Sequence, residues 1–440
     1  MGPEWVAILA LVALFVIGTL LPINMGALGY VAAWLVGMYS LHLDEKEILA
    51  GVSADLVLTL IGVTYLFAIA RNNGTVDLIV SSAVKAVGGR VALIPWVMFA
   101  VTALLTSIGA ASPAACAIIG PIALGFAARY KISPLMMGMF VVHGAQGGGF
   151  SPISIYGIIT NSVMEDNGLP ASEMTVFLAS LVVNLVMATI LFLLLGGREL
   201  MSQRVDPNEP DTLTEDLHRG GATVPARGYG TSAPTGTTQA LGVRHDQVLT
   251  LVAFVGVAVI ALAFDKNIGF VAITAAVILA MLAPHEHKDA VKQIAWPTVL
   301  LVAGVSTYAA ILTEAGSPEF VGKWAAGLGA VVIGALILCY VGGVVSAFAS
   351  STALLPVIIP IAIPLIAQGG INAGLFVAAL AIASTIVDVS PFSTNGALML
   401  ANRPDTIAEP VYYQQILTYS VIVVLAGPLL VWAALVLPGW

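Results

Sequence analysis

Small polar residues recur inside long apolar stretches of this chain, and three of them precede proline. The sites are Ser112-Pro113, Ser151-Pro152 and Ser390-Pro391, with Ser351-Thr352 as a fourth site that lacks the proline. Serine followed by proline is typical of a helix start, because the hydroxyl accepts a backbone N–H and proline has no N–H to leave unpaired. Each site therefore predicts a helix that stops and restarts, with a simple kink between packed helices as the alternative.

Restarting helices would favour an anion, because free N–H groups and the positive end of the helix dipole meet at each start. Hydroxyl and amide side chains nearby can hydrogen-bond a carboxylate without adding charge. Apolar stretches around these sites hold no evident Lys or Arg, so dipoles, hydroxyls and co-bound cations would have to hold the anion. The predicted substrate ligands are Ser112, Gln146, Ser151, Ser154, Ser351, Thr352, Ser390, Ser393, Thr394 and Asn395.

Two ionisable residues also lie deep in apolar sequence, Asp388 just before Ser390 and His143 just before a glycine run. A carboxylate within a bilayer is costly and usually functional. We interpret Asp388 as a cation ligand or proton carrier, with a capped structural carboxylate as the alternative. For His143 a neutral, hydrogen-bonded role is favoured, and the His285–His287 segment is interpreted as a solvated loop rather than a metal site.

The composition requires lipid around these sites. Apolar residues make up 59% of the 440 residues and charged residues only 9%, whereas soluble domains are about a quarter charged. The 44 glycines and 23 prolines favour broken helices, since helix breakers persist in a bilayer only where protein or a water-filled cavity receives the freed backbone groups. Cys116 and Cys339 are interpreted as small core residues rather than a disulfide.

Three blocks of sequence repeat at nearly one spacing. Residues 62–74 match 304–316 at an offset of 242, residues 106–119 match 346–359 at 240, and residues 151–154 match 390–393 at 239. The predicted fold is an all-α polytopic membrane protein of two inverted five-span repeats, each with a re-entrant hairpin and a broken helix. The hairpins are taken as re-entrant because arms of about 16 residues fall short of the ~30 Å bilayer core, although full spans leave the loops on the same sides.

The predicted domain boundaries follow from these repeats. The first repeat covers 1–197, with scaffold spans within 5–71, a hairpin at 91–129 and a broken span at 134–164. A cytoplasmic disordered linker rich in Gly, Pro and Thr covers 198–245. The second repeat covers 246–440, with scaffold spans within 246–313, a hairpin at 330–367 and a broken span at 371–400.

Basic residues predict the orientation. With the N-terminus outside, thirteen Lys and Arg fall in inside loops and three, Lys46, Lys266 and Lys323, fall outside. Cytoplasmic loops are enriched in Lys and Arg, so both termini are predicted to be extracytoplasmic in the plasma (inner) membrane of a prokaryote.

Several sequence strings resemble MatC-type malonate/dicarboxylate carriers of the ion transporter superfamily, which are similar to divalent anion/sodium symporters. The strings are PINMGAL (22–28), VTYLFAIA (63–70), LIPWVMF (93–99), HGAQGGGFSPISIYG (143–157), SAFASSTALL (346–355) and VDVSPFSTNGAL (387–398). The resemblance implies a homodimer, elevator-type alternating access and Na⁺ or H⁺ as the coupling ion, with no other cofactor. In the wider symporter family each hairpin turn carries Ser-Asn-Thr. Here Ala110-Ala111-Ser112 and Ser350-Ser351-Thr352 stand at those places, so both asparagines are missing.

Cation ligands follow from the same resemblance. Together with Asp388, the predicted set is Ser107, Ser112, Gly148 and Ser351. The predicted function is secondary active import of malonate or a similar small dicarboxylate. An inorganic-anion transporter or Na⁺/H⁺ exchanger on the same scaffold is the alternative, and an anion channel is a different class. No ATP-binding loop, dinucleotide fingerprint or nucleophile triad is found, which argues against an enzyme, and no nucleic-acid partner is expected.

Overall fold

The computed structural model of the chain describes residues 2–86, 90–203, 244–264, 266–326, 331–347 and 350–438. Those residues form helices joined by turns, and the predicted all-α class is confirmed. Of the predicted linker, residues 204–243 lie outside the described residues.

Eleven helices make up the described first half. They are α1 (Pro3–Leu20), α2 (Met25–Ser40), α3 (Glu45–Ala50), α4 (Ala54–Asn72), α5 (Thr75–Ala86), α6 (Ile94–Ser107), α7 (Ser112–Arg129), α8 (Pro134–Gly148), α9 (Ile155–Asp166), α10 (Glu173–Leu194) and α11 (Gly197–Leu200).

Nine helices make up the described second half. They are α12 (His245–Phe264), α13 (Ile268–Leu282), α14 (Trp296–Glu314), α15 (Ser317–Ala326), α16 (Val331–Ser346), α17 (Ser351–Ala367), α18 (Ala373–Ile386), α19 (Thr394–Ala401) and α20 (Glu409–Leu435).

Six described helices are long and apolar enough to cross a bilayer, namely α1, α4, α7, α10, α14 and α20, and further apolar helices are 10–17 residues long. The chain is a multi-pass membrane protein. Helix α7, the second arm of the first hairpin, has 18 residues and is longer than the arm of about 16 residues that was predicted. The inverted orientation and the re-entrant hairpins stay predictions.

Scaffold helices of one half cross those of the other half at glycines. Helix α2 packs on α14, where a Cβ at Gly26 would overlap the Leu300 carbonyl and one at Gly304 would overlap the Gly26 carbonyl. Helix α4 packs on α13, where a Cβ at Gly62 would lie 2.6 Å from the Gly269 carbonyl oxygen. Small residues let transmembrane helices approach closely, so these crossings tie the two halves into one scaffold.

Hairpins and broken helices pack together beside this scaffold. Within each half the first hairpin arm packs on the helix before the break, α6 on α8 and α16 on α18. Between halves, the second hairpin arm packs on the helix after the other half's break, α7 on α19 and α17 on α9. This exchange brings residues far apart in sequence into one region.

Hydropathy does not predict α5 and α15, which connect the third scaffold helix to the hairpin in each half. Polar and apolar residues are mixed in α5, where Val76 and Val80 are buried and Asp77 is exposed. Asn73, the C-cap of α4, holds the start of α5, since its side chain accepts hydrogen bonds from the N–H and hydroxyl of Thr75 at 3.1 and 2.6 Å. Short helices of this kind form on an apolar core rather than from their own hydropathy.

Candidate anion site between the two halves

Each half contains a break between two consecutive helices. Helix α8 ends at Gly148 and α9 begins at Ile155, while α18 ends at Ile386 and α19 begins at Thr394. The two intervening stretches, 149–154 and 387–393, are called the broken loops below. Their only charged residue is Asp388.

The predicted capping positions are wrong by three residues in both breaks. The N-cap of α9 is Ser154 rather than Ser151, and the N-cap of α19 is Ser393 rather than Ser390. The Ser-Pro pairs instead open a turn, in which the Ser154 N–H donates to the Ser151 carbonyl at 2.9 Å and the Ser393 N–H donates to that of Ser390 at 3.0 Å. Proline favours the second position of such a turn as strongly as the first turn of a helix.

Ser151 and Ser390 fasten the broken loops to the hairpins. The Ser151 hydroxyl donates to the Ser107 carbonyl at 2.7 Å, and the Ser390 hydroxyl donates to the Ala347 carbonyl at 3.0 Å. The Ser107 hydroxyl in turn donates to the Gly148 carbonyl at 3.3 Å. Hydrogen bonds, here called hinge bonds, therefore join each hairpin to the broken helix of its own half. They use the predicted ligands Ser151, Ser390, Ser107 and Gly148.

The hydroxyls of the two N-cap serines donate to carbonyls of their own broken loops. The Ser154 hydroxyl donates to the carbonyls of Gly149 and Ser151, the latter at 2.7 Å. The Ser393 hydroxyl donates to the Ser390 carbonyl at 2.7 Å and accepts from the Gly396 N–H at 3.4 Å. Thr394 begins α19 and is exposed. These serines shape the loops, and the start of α19 faces outward at Thr394.

The hairpin helices begin one residue earlier than predicted, at the residues that were expected to cap them. Ser112 is the first residue of α7 and Ala111 is its N-cap, while Ser351 is the first residue of α17 after Ser350. Ser112 is therefore not a cap, and its hydroxyl is available to other elements. The Ser351 hydroxyl lies 2.7 Å from that of Ser346 and closes the second hairpin turn.

Asn395 joins the two halves at the centre of the protein. Its Nδ2 donates to the Ser112 hydroxyl and to Oδ2 of Asp388, both at 2.8 Å. Asp388 also accepts from the backbone N–H of Asn395 and lies beside the Ser393 hydroxyl. Although Asn395 is fully buried, its Oδ1 has no hydrogen-bond partner among the described residues. The carboxylate therefore contacts the start of α19, as the structural interpretation of Asp388 requires. It also faces a cluster of residues from both halves, and its role as a cation ligand or proton carrier stays a prediction.

Tyr156 is a central residue that sequence reasoning missed. It is the second residue of α9, and its side chain lies beside the side chains of Ser112 and Thr352, at the starts of α7 and α17. The repeat offset of 239 pairs Tyr156 with Asn395. That pairing is the signal that could have found Tyr156, because equivalent positions of a repeat occupy equivalent places.

Gln146 lies near the end of α8, and its side-chain amide has no hydrogen bonds among the described residues. The residue is fully buried, yet neither Oε1 nor Nε2 has a partner among the described residues. Its backbone carbonyl accepts from the Ser180 hydroxyl at 3.2 Å. Buried polar groups in proteins are nearly always paired, so an unpaired amide beside a broken loop is a ligand candidate.

His143 is held in a polar chain that crosses three helices. Nδ1 lies 2.8 Å from Oδ1 of Asn184, and Nε2 lies 2.6 Å from the Tyr419 hydroxyl. The Asn184 amide nitrogen donates to Ser180 at 3.0 Å, which leaves Oδ1 to accept from Nδ1–H. Nε2 then accepts from Tyr419, as a neutral imidazole requires. The neutral, hydrogen-bonded interpretation of His143 fits this geometry.

The loop with His285 and His287 is solvated, as interpreted from the sequence, since residues 284–289 are exposed except for His287. Glu286 pairs with Arg244 at 2.6 Å, and His287 is only 5% exposed. Burial lowers the pKa of His287 despite the nearby carboxylates of Glu286 and Asp246. Within the described residues, no three His, Cys, Asp or Glu side chains group closely enough to hold a metal ion.

Comparisons with known proteins agree with this architecture. Residues 1–149 match the family "Dicarboxylate carrier protein MatC N-terminus", and residues 258–439 match the family "Citrate transporter". The fold is similar to that of the YdaH transporter of Alcanivorax borkumensis, with a TM-score of 0.58 and 13% identity over 88% of this chain and 86% of that one. A search of curated proteins finds no significant match.

The similarity to YdaH shows the fold alone, while the two family matches together reach both halves of the chain. The chain is therefore a multi-pass membrane protein of the transporter type, not an enzyme, whose residues 1–149 resemble MatC-type dicarboxylate carriers and whose residues 258–439 resemble citrate transporters.

Proposed function

We propose that this protein imports malonate or a similar short dicarboxylate by secondary active transport coupled to Na⁺ or H⁺. The observation that carries the proposal is the meeting of Ser112, Thr352, Tyr156 and Asn395, which come from both hairpins and both broken helices. Substrate sites of transporters with broken helices lie where the repeats meet. The two matched families are named for dicarboxylate and citrate carriers, which supports a substrate with more than one carboxylate.

Electrostatics favour coupling to a cation. Helix starts at α7, α9, α17 and α19 supply partial positive charge, but each is worth only about half an elementary charge. Neither broken loop contains a Lys or Arg, and Asp388 adds a negative charge to the same cluster. A dianion beside an ionised carboxylate is strongly disfavoured at low dielectric. A cation or proton at Asp388 removes that repulsion, so its binding would precede substrate binding.

Elevator-type movement is supported by unequal contacts with the scaffold. In the second half α17 packs on the scaffold helix α14 and on α15, whereas in the first half α9 packs on the scaffold helix α4. The two halves are repeats of each other, yet the second contacts the scaffold through a hairpin arm and the first through a broken helix. Such unequal contacts are expected of one end state of an alternating movement. In this proposal the hairpins and broken helices move together, and the glycine crossings α2–α14 and α4–α13 stay fixed in a homodimer.

A Na⁺/H⁺ exchanger is the second candidate, and the lone carboxylate of Asp388 is the observation that favours it. An inorganic-anion transporter would use the same helix starts. An anion channel would pass solute only down its gradient. The same uptake assay separates a coupled dicarboxylate carrier from these three candidates, because only such a carrier concentrates the dicarboxylate.

The proposed function is tested by radiolabelled malonate uptake into proteoliposomes, with an inward Na⁺ gradient and, separately, an inward proton gradient. Accumulation above equilibrium under one gradient, abolished by an ionophore that collapses it, is the expected result and names the coupling ion. Protein-free liposomes and equal ion concentrations on both sides are the controls. If monodisperse protein accumulates neither malonate, succinate nor citrate under either gradient, the dicarboxylate proposal is overturned.

Orientation gives a second measurable prediction. Asp44 and Val291 are exposed at loops that are predicted to lie on opposite sides of the membrane. In intact cells, a membrane-impermeant maleimide should label an Asp44→Cys variant, and label a Val291→Cys variant only after permeabilisation. Cys116 and Cys339 are fully buried, so background labelling should be low. Equal labelling of both variants in intact cells would contradict the predicted topology.

A further inference from the structure

We propose that the protein carries a single cation site, built across its two halves by Asp388, Asn395 and Ser112, which takes one Na⁺ per chain. The site deepens the proposed coupled transport, on which it rests, by locating the coupling ion and fixing its number. Asp388 Oδ2 and Ser112 Oγ each lie 2.8 Å from the Asn395 amide nitrogen, so two oxygens already converge on one point.

The amide of Asn395 lies beside the proposed cation position. Its NH₂ group donates to a carboxylate oxygen and to a hydroxyl oxygen, so two oxygens of other residues already point toward this amide. Rotating the amide by half a turn exchanges nitrogen and oxygen. Oδ1, which has no partner among the described residues, would then face the same two oxygens. Three oxygen ligands from three positions would result, which suits a hard cation such as Na⁺.

Asp388 also needs a positive partner, which the described residues around it do not supply. On the helices that hold the cluster, charged residues stand far from it, with Arg129 at the opposite end of α7 and Glu165 and Asp166 at the opposite end of α9. Ser112 and Arg129 are separated by the whole helix, about 25 Å. Among the described residues, the titratable side chains that interact with Asp388 are Cys116 and Tyr156, neither of which is cationic. An ionised buried carboxylate without a counter-charge is costly, and a bound cation removes that cost.

The equivalent place in the first half has the same backbone contacts, but it lacks the side chains that would bind a cation. Offsets of 239 and 240 place Gly149, Tyr156 and Thr352 where the cation site has Asp388, Asn395 and Ser112. Equivalent hinge bonds are present in both halves, from Ser151 to Ser107 and from Ser390 to Ala347. Yet the Tyr156 ring occupies the space of a side chain at Gly149, whose Cβ would lie 2.8 Å from Cδ2 of Tyr156. One half therefore has a carboxylate and a carboxamide, and the other half has neither.

The decisive experiment measures Na⁺ binding to purified protein without any dicarboxylate. Scintillation proximity with ²²Na⁺ should give one bound ion per chain and a Hill coefficient of about 1, and Na⁺ replacing choline should raise the thermal unfolding midpoint saturably. Asp388→Asn and Asn395→Ala should each weaken Na⁺ binding more than tenfold. The control is Asp405→Asn, which removes an exposed loop carboxylate and should bind Na⁺ like the unaltered chain.

A gain of binding provides a sharper test than loss alone. The double substitution Gly149→Asp with Tyr156→Asn copies the second-half pair into the first half and removes the ring that would clash. It should raise Na⁺ binding toward two ions per chain, whereas Gly149→Asp alone should not. If the double variant fails to fold, the Asp388→Asn and Asn395→Ala measurements still decide the proposal.

Three results would overturn the proposal: two bound Na⁺ in the unaltered chain, undiminished Na⁺ binding in Asp388→Asn, or no Na⁺ binding with a pH-dependent stabilisation that Asp388→Asn abolishes. The last result would identify a proton site instead. Because these measurements use no substrate, they are independent of malonate uptake. Na⁺ binding without dicarboxylate uptake would refute the proposed substrate and leave the cation site standing.

Discussion

Replacing Gly148 with alanine is expected to abolish solute uptake, because the added Cβ would overlap the backbone carbonyl of Ala103 and the Thr106 hydroxyl. Backbone atoms cannot turn aside as a flexible side chain can, so α6 would have to move away from α8. That movement would separate Ser107 from the Gly148 carbonyl, which it contacts at 3.3 Å. Overpacking of this kind costs about 1–3 kcal/mol or more.

Gly125→Ala is the matched control for this prediction, since a Cβ at Gly125 meets nothing within 4 Å. Both variants should be compared in proteoliposome uptake and in thermal unfolding of the purified protein. We expect Gly148→Ala to lower the unfolding midpoint and to reduce uptake at least tenfold, with Gly125→Ala unchanged in both. Full uptake by Gly148→Ala would show that close contact between hairpin and broken helix is not required for transport.

The helix breaks could be predicted from sequence, but the residues at their restarts could not. Gly147–Gly149 and the Ser-Pro pairs mark a stop within apolar sequence, where a continuous helix would otherwise form. A Ser-Pro pair fits either the start of a helix or the first two positions of a turn. The choice is made by a tertiary contact, because Ser151 and Ser390 donate to hairpin carbonyls some 43 or 44 residues away. Local sequence does not contain that information.

Most of the central cluster could be predicted as a set of residues, but its pairing could not. Ser112 and Asn395 were both candidates, yet they are 283 residues apart and come from different halves. A constant repeat offset identifies equivalent positions, such as Tyr156 and Asn395, and says nothing about which positions touch. Contacts between α7 and α19 arise from the packing of one half on the other. Tyr156 was missed for a similar reason, because a tyrosine in an apolar helix has no local feature that marks a site.

Replacing Gln146 with leucine is expected to stabilise the protein and to abolish transport together. The side-chain amide is fully buried, and neither of its polar atoms has a partner among the described residues. A buried polar group left unpaired costs about 1–3 kcal/mol, so an apolar side chain of similar size should raise the unfolding midpoint of the substrate-free protein. If the amide binds the substrate, the same change should weaken substrate binding at least tenfold.

The Gln415→Leu variant separates the effect on stability from the effect on transport. Oε1 of Gln415, on α20, is also buried and unpaired among the described residues, but Gln415 lies outside both broken loops. We expect Gln415→Leu to raise the unfolding midpoint without loss of uptake. A structural role for Gln146 would instead make Gln146→Leu less stable and still active. A rise in stability together with a loss of uptake is informative, because a substitution that merely damages the fold lowers both. Only a residue whose polar atoms are reserved for a ligand should gain stability while it loses function.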